Sequence, residues 1–581
     1  MSLKLLFMIK TSISLYPLCN KRLTKSVLSI NLLLYTKRIF SRGKIGIYME
    51  QTTKKPFKLN YKLTCLIGFA FFGILLLWQV YDSWCPTFLS ELFVKMSNPD
   101  YMVWRETAAN LSDQARLALA NNDYDLAQSL AAQAQGYIKQ CNAAVEDKQY
   151  LVGIMMAIDN IAALILLPIF GALSDKTKTP IGKRMPYILV GTFVCAIAFP
   201  FIPVMFYANN VAGVIALMAV VVIFAMMYRN PAVALMPDIT PKPLRSKANG
   251  IINIMGYIGG ACATLIGIPF VLSQYLGSSS LHLSKELADT SVTLATDPLI
   301  LKTHTWAYGN IWAIEVPFLV GSVLMLISAV VLFFKVKENK LAVEMKDEME
   351  RGELEAEVID KVTEDAPMTK ANKIMLILIL AAEFFWFMAD NGIATFMGNY
   401  TVYYLGAETS SNMINTIIGG VGSVVGFAIG GIIASKIGRK FTVVGGLSLT
   451  LLGYALWAVL TFAIAPNGSF PFWIFIVWFI KGFGMSLVHV NSFPMVVELC
   501  PNSKIGKFTG LYYASSMAAQ TITPIALGTL LLHPDFSWQF LPIYAIVCCI
   551  ASLGVFLFIK NVKSIKTKFS KGLDAIGEAD D

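Results

Sequence analysis

Long apolar runs separated by short polar turns dominate the hydrophobic pattern of this 581-residue chain. A helix that crosses the hydrocarbon core of a bilayer needs about 20 mostly apolar residues. Because twelve runs reach that length and end at charged or turn-forming residues, we predict twelve membrane-spanning helices. In chain order, spans 1 to 12 cover residues 61–93, 151–173, 187–208, 211–236, 248–276, 306–334, 374–405, 412–434, 441–465, 470–497, 508–532 and 538–559.

The composition also places the chain among membrane proteins. Hydrophobic residues make up 56% of it and charged residues 14%, whereas soluble globular proteins carry about 25% charged residues. The nine cysteines form no CxxC pair, which argues against a zinc module or a disulfide framework. The sequence also lacks a nucleotide-binding glycine loop, a Ser-His-Asp pattern and a metal motif. We therefore predict neither an enzyme nor a bound cofactor or metal.

The formal net charge of +10 comes mainly from the start of the chain. Residues 1–48 contain nine Lys or Arg and no acid, so subtracting them from +10 leaves +1. Such a stretch is typical of a targeting segment, or it precedes a true start at Met49, which we favour. The remaining chain offers no basic surface for nucleic acid. We expect the partners to be a small-molecule substrate and membrane lipid, and the protein to be a monomer.

The basic residues of the short loops predict the orientation. The loops after spans 2, 4 and 8 contain Lys and Arg within residues 176–184, 242–247 and 436–440, and those after spans 3, 9 and 11 contain none. Short basic loops remain on the cytoplasmic side of a membrane. We expect both termini in the cytoplasm and the protein in the plasma membrane.

The two halves of the sequence repeat each other. Spans 1 and 7 share the pattern W-x3-D-x4-T-F, which begins at Trp78 and Trp386. The loop after span 2 contains Ile181-Gly182, and the loop after span 8 contains Ile437-Gly438. Span 4 and its loop align with span 10 at a constant offset of 260, which pairs Asp238 with Glu498, Pro241 with Pro501, Lys247 with Lys507 and Gly250 with Gly510. We predict an all-α membrane protein with twelve transmembrane helices in two pseudo-symmetric six-helix bundles.

The loop after span 2 resembles the signature loop of the major facilitator superfamily. It reads Gly171-x-x-Ser-Asp175 and then Gly182-Lys-Arg184, and its weaker copy has Ser435 in place of the aspartate. Asp159-Asn160 in span 2 and Arg229-Asn-Pro231 with Leu235-Met-Pro-Asp238 in span 4 are similar to the sucrose-type and glycoside-pentoside-hexuronide cation symporters. This resemblance implies the major facilitator fold and alternating access.

Five regions follow from these patterns. They are a basic extension (1–48), an N-terminal bundle (49–336) with a polar insertion (97–148), a charged cytoplasmic linker (337–372), a C-terminal bundle (373–562) and a cytoplasmic tail (563–581). The insertion is expected outside the cell, with helical spacing over residues 118–138, either as solvated decoration or as a lid for substrate entry. We interpret the linker as a solvated amphipathic helix and a tether.

Asp159 is the predicted coupling residue. It lies eight residues into span 2, about 12 Å along the helix axis, and a desolvated carboxylate can take up a proton on one side and release it on the other. With Asn160 it could instead hold Na⁺. The resemblance implies that acidic residues of this helix bind the coupling cation. A second acid one turn away is missing, since Met155 and Ala163 occupy those places, which favours H⁺. A purely structural hydrogen bond is the alternative.

Asp82 and Asp390 hold duplicated positions in spans 1 and 7, each with a tryptophan four residues earlier, Trp78 and Trp386. An aromatic ring can cover the apolar face of a sugar while a carboxylate accepts hydrogen bonds from its hydroxyls. We predict that these four residues bind substrate, and the resemblance implies such a role for Asp82. Anchoring of the tryptophans at the membrane interface is the alternative.

Arg229 and His489 align at the same offset of 260 and are also predicted to contact substrate. The resemblance implies substrate binding or coupling by Arg229, and a salt bridge to Asp175 or Asp159 is the alternative. Lys481 is predicted to neutralise Asp390 or Glu383. Glu315 and Glu383 are placed nearer helix ends and are assigned no role.

The signature loop is predicted to act as a gate. Gly171 permits close helix packing, and Asp175, Lys183 and Arg184 would bond neighbouring helix ends in the outward-facing state only. After span 4, Asp238 would pair with Arg245.

These observations favour a secondary symporter that moves a di- or oligosaccharide with H⁺ or Na⁺. An exporter or antiporter of amphiphilic compounds is the first alternative, although span 5 lacks a Gly-Pro kink. A membrane sensor that does not transport is the second.

Overall fold

The computed structural model describes residues 57–241, 244–268, 312–353, 370–405, 409–463, 473–499, 505–533 and 536–560. The chain from Leu59 onward forms one compact unit, and its described part contains helices and turns but no strand. The α-helices are α1 (Tyr61–Ser97), α2 (Tyr101–Ala120), α3 (Tyr124–Glu146), α4 (Gln149–Lys176), α5 (Met185–Ala198), α6 (Phe201–Tyr207), α7 (Val211–Asp238), α8 (Arg245–Gly267), α9 (Trp312–Lys335), α10 (Glu338–Glu344), α11 (Lys370–Asn399), α12 (Thr409–Ile437), α13 (Arg439–Ala463), α14 (Trp473–Leu499), α15 (Ile505–Leu530) and α16 (Leu541–Leu557). A π-helix, Tyr400–Tyr404, continues α11, and a short 3-10 helix, Trp538–Phe540, precedes α16.

Eleven helical stretches of the described chain are long and apolar enough to cross a membrane. They correspond to the predicted spans 1 to 10 and 12, and they confirm an all-α membrane fold. The remaining prediction, span 11, corresponds to α15, a helix of 26 residues. Polar side chains such as Ser515, Gln520 and Thr523 make α15 less apolar than the others.

Some predicted boundaries differ from the structure. Span 3 is predicted as one helix, but the chain forms α5 and α6 with a break at Phe199 and Pro200, because proline cannot donate the backbone hydrogen bond that would continue the helix. The predicted ends of spans 5 and 6, at residues 269–276 and 306–311, lie outside the described residues. So do residues 1–48, part of the linker and the tail.

The insertion forms a hairpin of two helices, α2 and α3. The helical spacing predicted over residues 118–138 corresponds mainly to α3, and the chain turns near the start of this range, between Ala120 and Tyr124. Asn122 adopts a left-handed φ of 61°, which asparagine tolerates better than most residues. The Asp123 side chain then accepts a hydrogen bond from the backbone N–H of Leu126 and caps α3.

Two hydrophobic cores organise the described helices. One consists mainly of α1 and α4 to α9, and the other mainly of α11 and α13 to α16. The second core also contains Val94 of α1 and Tyr101, Cys141 and Val145 of the hairpin. The hairpin therefore packs with the second half of the protein although it is inserted in the first.

We call the end of the bundle that carries the hairpin the insertion end, and the opposite end, with residues 177–184, the loop end. Helices α4 and α15, one from each half, approach closely near the insertion end. A Cβ added to Gly153 would lie 2.0 Å from the carbonyl oxygen of Pro524, and one added to Gly528 would lie 2.5 Å from that of Gln149. Small residues permit this backbone contact between membrane helices.

Gly153→Ala should lower the thermal stability of the protein. The added methyl group would meet the backbone of Pro524, which cannot move without separating α4 from α15, so we expect a cost of about 1–3 kcal/mol. The measurement is the unfolding temperature of the purified protein in detergent.

Gly420→Ala in α12 is the matched control, because a Cβ at Gly420 meets no atom within 4 Å and alanine favours a helix over glycine. Equal unfolding temperatures for the two variants would contradict the close packing of α4 on α15.

Candidate substrate and cation site

The predicted site residues of both halves lie on one side of the contacts that close the insertion end. Thr87 of α1 donates a hydrogen bond of 3.0 Å to Oδ1 of Asn399 in α11. Asp82 precedes Thr87 by five residues and Asp390 precedes Asn399 by nine. These separations correspond to about 8 Å and about 14 Å along the helices, toward the loop end. Both carboxylates therefore lie in the interior of the bundle.

In the first half, Trp78, Tyr81 and Asp82 of α1 form a cluster with Asp159 of α4. The rings of Trp78 and Tyr81 meet edge to face at 5.6 Å. Tyr81 and Asp82 lie close enough to Asp159 to interact with it electrostatically. Oδ2 of Asp159 is buried and has no hydrogen-bond partner within the described chain, and the Tyr81 hydroxyl lies beside this carboxylate, close enough to bond with it. Because buried polar atoms normally have partners, this cluster can accept a proton or a polar ligand.

Asp82 is exposed although it lies well inside a helix of 37 residues. The residues beside it are not, since Tyr81 is 0% and Trp84 is 1% exposed. An ionisable side chain at this depth in a membrane protein faces a partner or a water-filled space. The exposure of Asp82 therefore fits a residue that lines an aqueous cavity.

Asn160 bonds to the second half of the protein. Its amide nitrogen donates a hydrogen bond of 3.2 Å to the carbonyl oxygen of Gln520 in α15. Successive residues of a helix point about 100° apart, so the Asn160 side chain faces the other half of the protein. Its amide nitrogen thus holds α4 to α15 in this conformation, and its role as a ligand of the coupling cation stays a prediction.

In the second half, Asp390 of α11 forms an ion pair with Lys481 of α14. Both side chains are partly buried, at 34% and 19% exposure. His489 also acts electrostatically on Asp390, and its ring meets those of Phe387 at 5.5 Å and Trp386 at 6.5 Å, edge to face. The structure thus brings together Asp390, Lys481, His489 and Trp386.

The two duplicated tryptophans have different environments. Trp78 is partly exposed, whereas Trp386 is 0% exposed and belongs to the second hydrophobic core. A fully buried ring offers no face to a ligand in this conformation, and the contact of Trp386 with substrate stays a prediction. Trp78 keeps an accessible surface beside Asp82.

Arg229 is partly buried in α7, next to the fully buried Tyr228. Asp175, one of its two predicted salt-bridge partners, pairs with Arg184. The contact of Arg229 with substrate stays a prediction, as does that of His489.

At the loop end, Arg184 joins three helices. Its Nε donates to Asp238 of α7 at 2.8 Å, and its two terminal nitrogens contact Ser174 and Asp175 of α4. Lys183 also reaches Asp238, at 3.0 Å. Burial opposes the charge of the guanidinium, but Asp238 and Asp175 raise the pKa of Arg184 above its ordinary value. The guanidinium therefore stays charged and holds α4, α5 and α7 together.

Glu338 adds an anchor that the sequence did not reveal. Its carboxylate accepts hydrogen bonds of 2.9–3.1 Å from the backbone N–H groups of Lys183, Arg184 and Met185, at the start of α5, where a negative charge is favourable. Glu338 is 3% exposed, so the interpretation of the linker as solvated is wrong at its first turn. Gly182 has a φ of 125°, and a Cβ there would lie 2.0 Å from the Glu338 carboxylate.

The structure shows the bonds of the gating loop and corrects one of them. Asp175, Lys183 and Arg184 bond within the first half of the protein, and the restriction of these bonds to the outward-facing state stays a prediction. They join residues of one half, so a movement of one half against the other need not break them. Arg245 does not pair with Asp238 but donates to the carbonyl oxygens of Pro237 and Thr240 at 3.0 and 3.1 Å.

Gly171 lies against Asn230, whose amide nitrogen would be 2.4 Å from an added Cβ, as close helix packing requires.

Sequence reasoning missed the hydrogen bonds that close the insertion end. Nδ2 of Asn399 donates to Ser90 of α1 and to Gln149 of α4, both at 2.9 Å. The Tyr403 hydroxyl donates 2.9 Å to Glu91 of α1. These side chains are at most 1% exposed. Glu91, an acid inside an apolar segment, is the one signal in the sequence that could have revealed this network.

Sequence reasoning also missed the position and burial of Glu383. It lies thirteen residues into α11, about 20 Å from its start, rather than near a helix end as the sequence suggested. The residue is 0% exposed, and neither carboxylate oxygen has a hydrogen-bond partner in the part of the chain that the structure describes. A buried carboxyl without a partner is costly in its ionised form.

Comparison with known proteins identifies the class. The family model described as the Major Facilitator Superfamily matches residues 146–466 and 379–576. No curated protein matches the sequence significantly.

Solved transporter structures share the fold. The POT family transporter PepTSo has a TM-score of 0.51 and 12% identity over 86% of this chain and 98% of its own. The inward open xylose transporter XylE from E. coli has a TM-score of 0.50 and 14% identity over 88% of this chain and 98% of its own. A POT family transporter in complex with 5-aminolevulinic acid has a TM-score of 0.50 and 12% identity over 85% and 95%. At these identities the likeness concerns the fold alone.

The fold and the family match define a multi-pass membrane transporter. The chain belongs to the major facilitator superfamily.

Asp390→Asn should destabilise the protein, because it leaves Lys481 partly buried and without its ion-pair partner. We expect a loss of about 1–3 kcal/mol, less than for a fully buried pair because both groups are partly exposed. The double variant Asp390→Asn/Lys481→Met should recover most of the loss. Unfolding temperatures of the single and double variants measure this coupling.

The control is Asp147→Asn, which removes a surface pair with Lys148 and should change stability by less than about 1 kcal/mol. If Lys481→Met makes Asp390→Asn no more stable, the two side chains are not energetically coupled.

Proposed function

We propose that this protein is a secondary active transporter that imports a sugar, such as a di- or oligosaccharide, together with H⁺. The observation that carries the proposal is the cluster of Tyr81, Asp82 and Asp159, in which a buried carboxylate oxygen of Asp159 lacks a partner in the described chain and lies near the exposed carboxylate of Asp82. The family match supports transport, and the cluster supports a polar substrate and a proton.

Asp159 is the proposed coupling group. One carboxylate is sufficient to carry a proton, whereas Na⁺ prefers several oxygen ligands, and Met155 and Ala163, one turn before and after Asp159, supply no second carboxylate. The Tyr81 hydroxyl is placed to donate to the ionised form of Asp159. Proton uptake at Asp159 would then alter the interaction of α4 with α1, which is the link between the cation and the conformation.

Asp82 and Trp78 are the proposed sugar-binding residues of the first half. The Trp78 ring offers an apolar face and Asp82 offers acceptors for hydroxyl groups. Asp390, Arg229 and His489 are proposed to complete the site from the second half and from α7. In this arrangement Lys481 keeps Asp390 ionised, so that it accepts hydrogen bonds from substrate.

The proposed orientation places the hairpin outside the plasma membrane and both termini in the cytoplasm. The closed insertion end then makes this conformation inward-facing. Transport proceeds by rocking of the two halves about the central site, in a protein that acts as a monomer.

Asp159→Asn should abolish proton-driven uptake, because an amide cannot gain and lose the coupled proton. Purified protein is reconstituted into liposomes, and uptake of labelled maltose, sucrose and melibiose is measured under an imposed proton or sodium gradient. We expect accumulation by the wild type under the proton gradient, and at least a tenfold reduction in the variant.

Asp147→Asn, which changes a surface acid just before the same helix, is the control and should transport normally. Unchanged proton-driven uptake in Asp159→Asn would disprove the coupling assignment. Sodium-driven uptake would replace H⁺ with Na⁺, and efflux of an amphiphilic dye without any glycoside uptake would overturn the sugar proposal.

The two tryptophans should respond differently to substitution. Trp78→Ala should raise the KM for sugar about tenfold, about 1.4 kcal/mol of binding, because it removes the accessible ring. Trp386→Ala should instead reduce the yield of folded protein, since truncating a buried aromatic costs about 3–5 kcal/mol.

Trp78→Phe, which keeps an aromatic face, serves as the conservative control and should retain most of the affinity. A KM that stays at the wild-type value in Trp78→Ala would remove this residue from the substrate site.

A further inference from the structure

The hairpin of α2 and α3 is bonded to both halves of the protein. It follows α1 and precedes α4 in the chain, and it also contacts the second half in two places. Nδ2 of Asn142 donates a hydrogen bond of 2.9 Å to the carbonyl oxygen of Tyr403. The backbone N–H of Trp538, just before α16, donates 3.2 Å to Glu146. A solvated decoration would not make such contacts.

The centre of this contact is Glu91, which is 0% exposed. Arg105 of α2 forms a 3.0 Å ion pair with one carboxylate oxygen. The other oxygen accepts hydrogen bonds from Tyr101 of α2 at 3.0 Å and from Tyr403 at 2.9 Å. The amine of Lys95 in α1 also acts electrostatically on Glu91. One buried carboxylate therefore ties the hairpin, α1 and the end of α11 together.

The charge on Glu91 depends on the hairpin. Burying an ionised carboxylate is unfavourable unless a cation and hydrogen bonds compensate for it, and Arg105, itself 3% exposed, is the cation in direct contact. Burial next to Glu91 also raises the pKa of Tyr101, so this phenol remains a donor. An ionised acceptor strengthens the bond from Tyr403, because hydrogen bonds to charged groups are about twice as strong as neutral ones.

Tyr403 lies in the π-helix that continues α11. Residues Tyr400–Tyr404 form a π-helix, and such segments often occur at functional sites in helices. The Tyr400 hydroxyl hydrogen-bonds to Thr461 of α13 at 2.8 Å, so this segment is fixed to the second half on one side and to Glu91 on the other. Opening of the insertion end has to separate Tyr403 from Glu91.

We propose that the hairpin is a working part of the gate at the insertion end and that Arg105 is a positioning residue, which holds Glu91 ready to bind Tyr403. The closed state is then favoured by a contact between three bodies, the two halves and the hairpin, rather than by the two halves alone. This inference rests on the alternating access of the proposed function, but it requires no knowledge of the substrate or of the coupling cation.

The test is hydrogen–deuterium exchange of the purified full-length protein, followed by mass spectrometry of peptides that cover residues 396–404. Arg105→Ala should accelerate exchange in this segment at least tenfold, because the insertion end opens more often. Arg105→Lys, which keeps the charge, should restore much of the protection. Arg116→Ala is the matched control on the exposed face of the same helix α2, and it should match the wild type.

Tyr403→Phe keeps the experiment decisive if Arg105→Ala disturbs the hairpin itself. It removes the donor from the second half but leaves the bonds of Glu91 to Arg105 and Tyr101. We expect faster exchange at residues 396–404 with unchanged exchange at residues 101–120. Acceleration confined to residues 101–146 in Arg105→Ala, with normal protection of the α11 end in both variants, would overturn the proposal. Since no substrate is present, failure of sugar uptake leaves this result unaffected.

Discussion

A membrane gives a buried polar group no water to bind, so each polar side chain between helices needs a partner in the protein or a place in a water-filled space. Both ways of meeting this requirement occur along α1. At the insertion end, the buried side chains of Asn399, Ser90 and Gln149 donate hydrogen bonds to one another or accept them. Further toward the loop end, Asp159 leaves a buried carboxylate oxygen without a partner in the described chain. A network in which all polar groups have partners can close the transport path. A group that lacks a partner can instead bind a proton or a substrate hydroxyl.

The duplicated halves obey this requirement in different ways. Gly182 and Gly438 keep positive φ values of 125° and 92° at matching places of the two loops, because a side chain would strain the same turn in either half. The carboxylates are under no such steric constraint and have diverged. Asp82 is exposed, whereas Asp390 is paired with Lys481. We infer that the two halves supply different chemistry to one site, the first a coupling group and the second a fixed charge.

The sequence predicted the helices well because length and apolar composition alone decide which segments cross a bilayer. It also indicated that Asp159, Asp82 and Asp390 lie inside the bundle, since charges inside apolar runs are conspicuous. It could not predict the burial of Trp386, because the shared pattern W-x3-D fixes spacing along a helix but not the rotation of that helix against its neighbours. It could not find the bond from Tyr403 to Glu91, because the two residues are 312 positions apart and only the packing of whole helices brings them together. For the same reason, the sequence did not reveal the contact of Glu338 with the start of α5 or the contacts of the hairpin with the second half.

The free energy that holds the insertion end closed must be small enough for ligand binding to overcome it. Four buried side-chain hydrogen bonds join the halves there, from Thr87 to Asn399, from Asn399 to Ser90 and Gln149, and from Tyr403 to Glu91. At about 0.5–1.5 kcal/mol each, they contribute about 2–6 kcal/mol, and reversing a 99:1 population takes about 5.5 kcal/mol. Ligand binding of ordinary affinity can supply that amount. The bonds of Arg184 join residues of one half only, so a movement of one half against the other need not break them, whereas the bonds between the halves and those of the hairpin have to break.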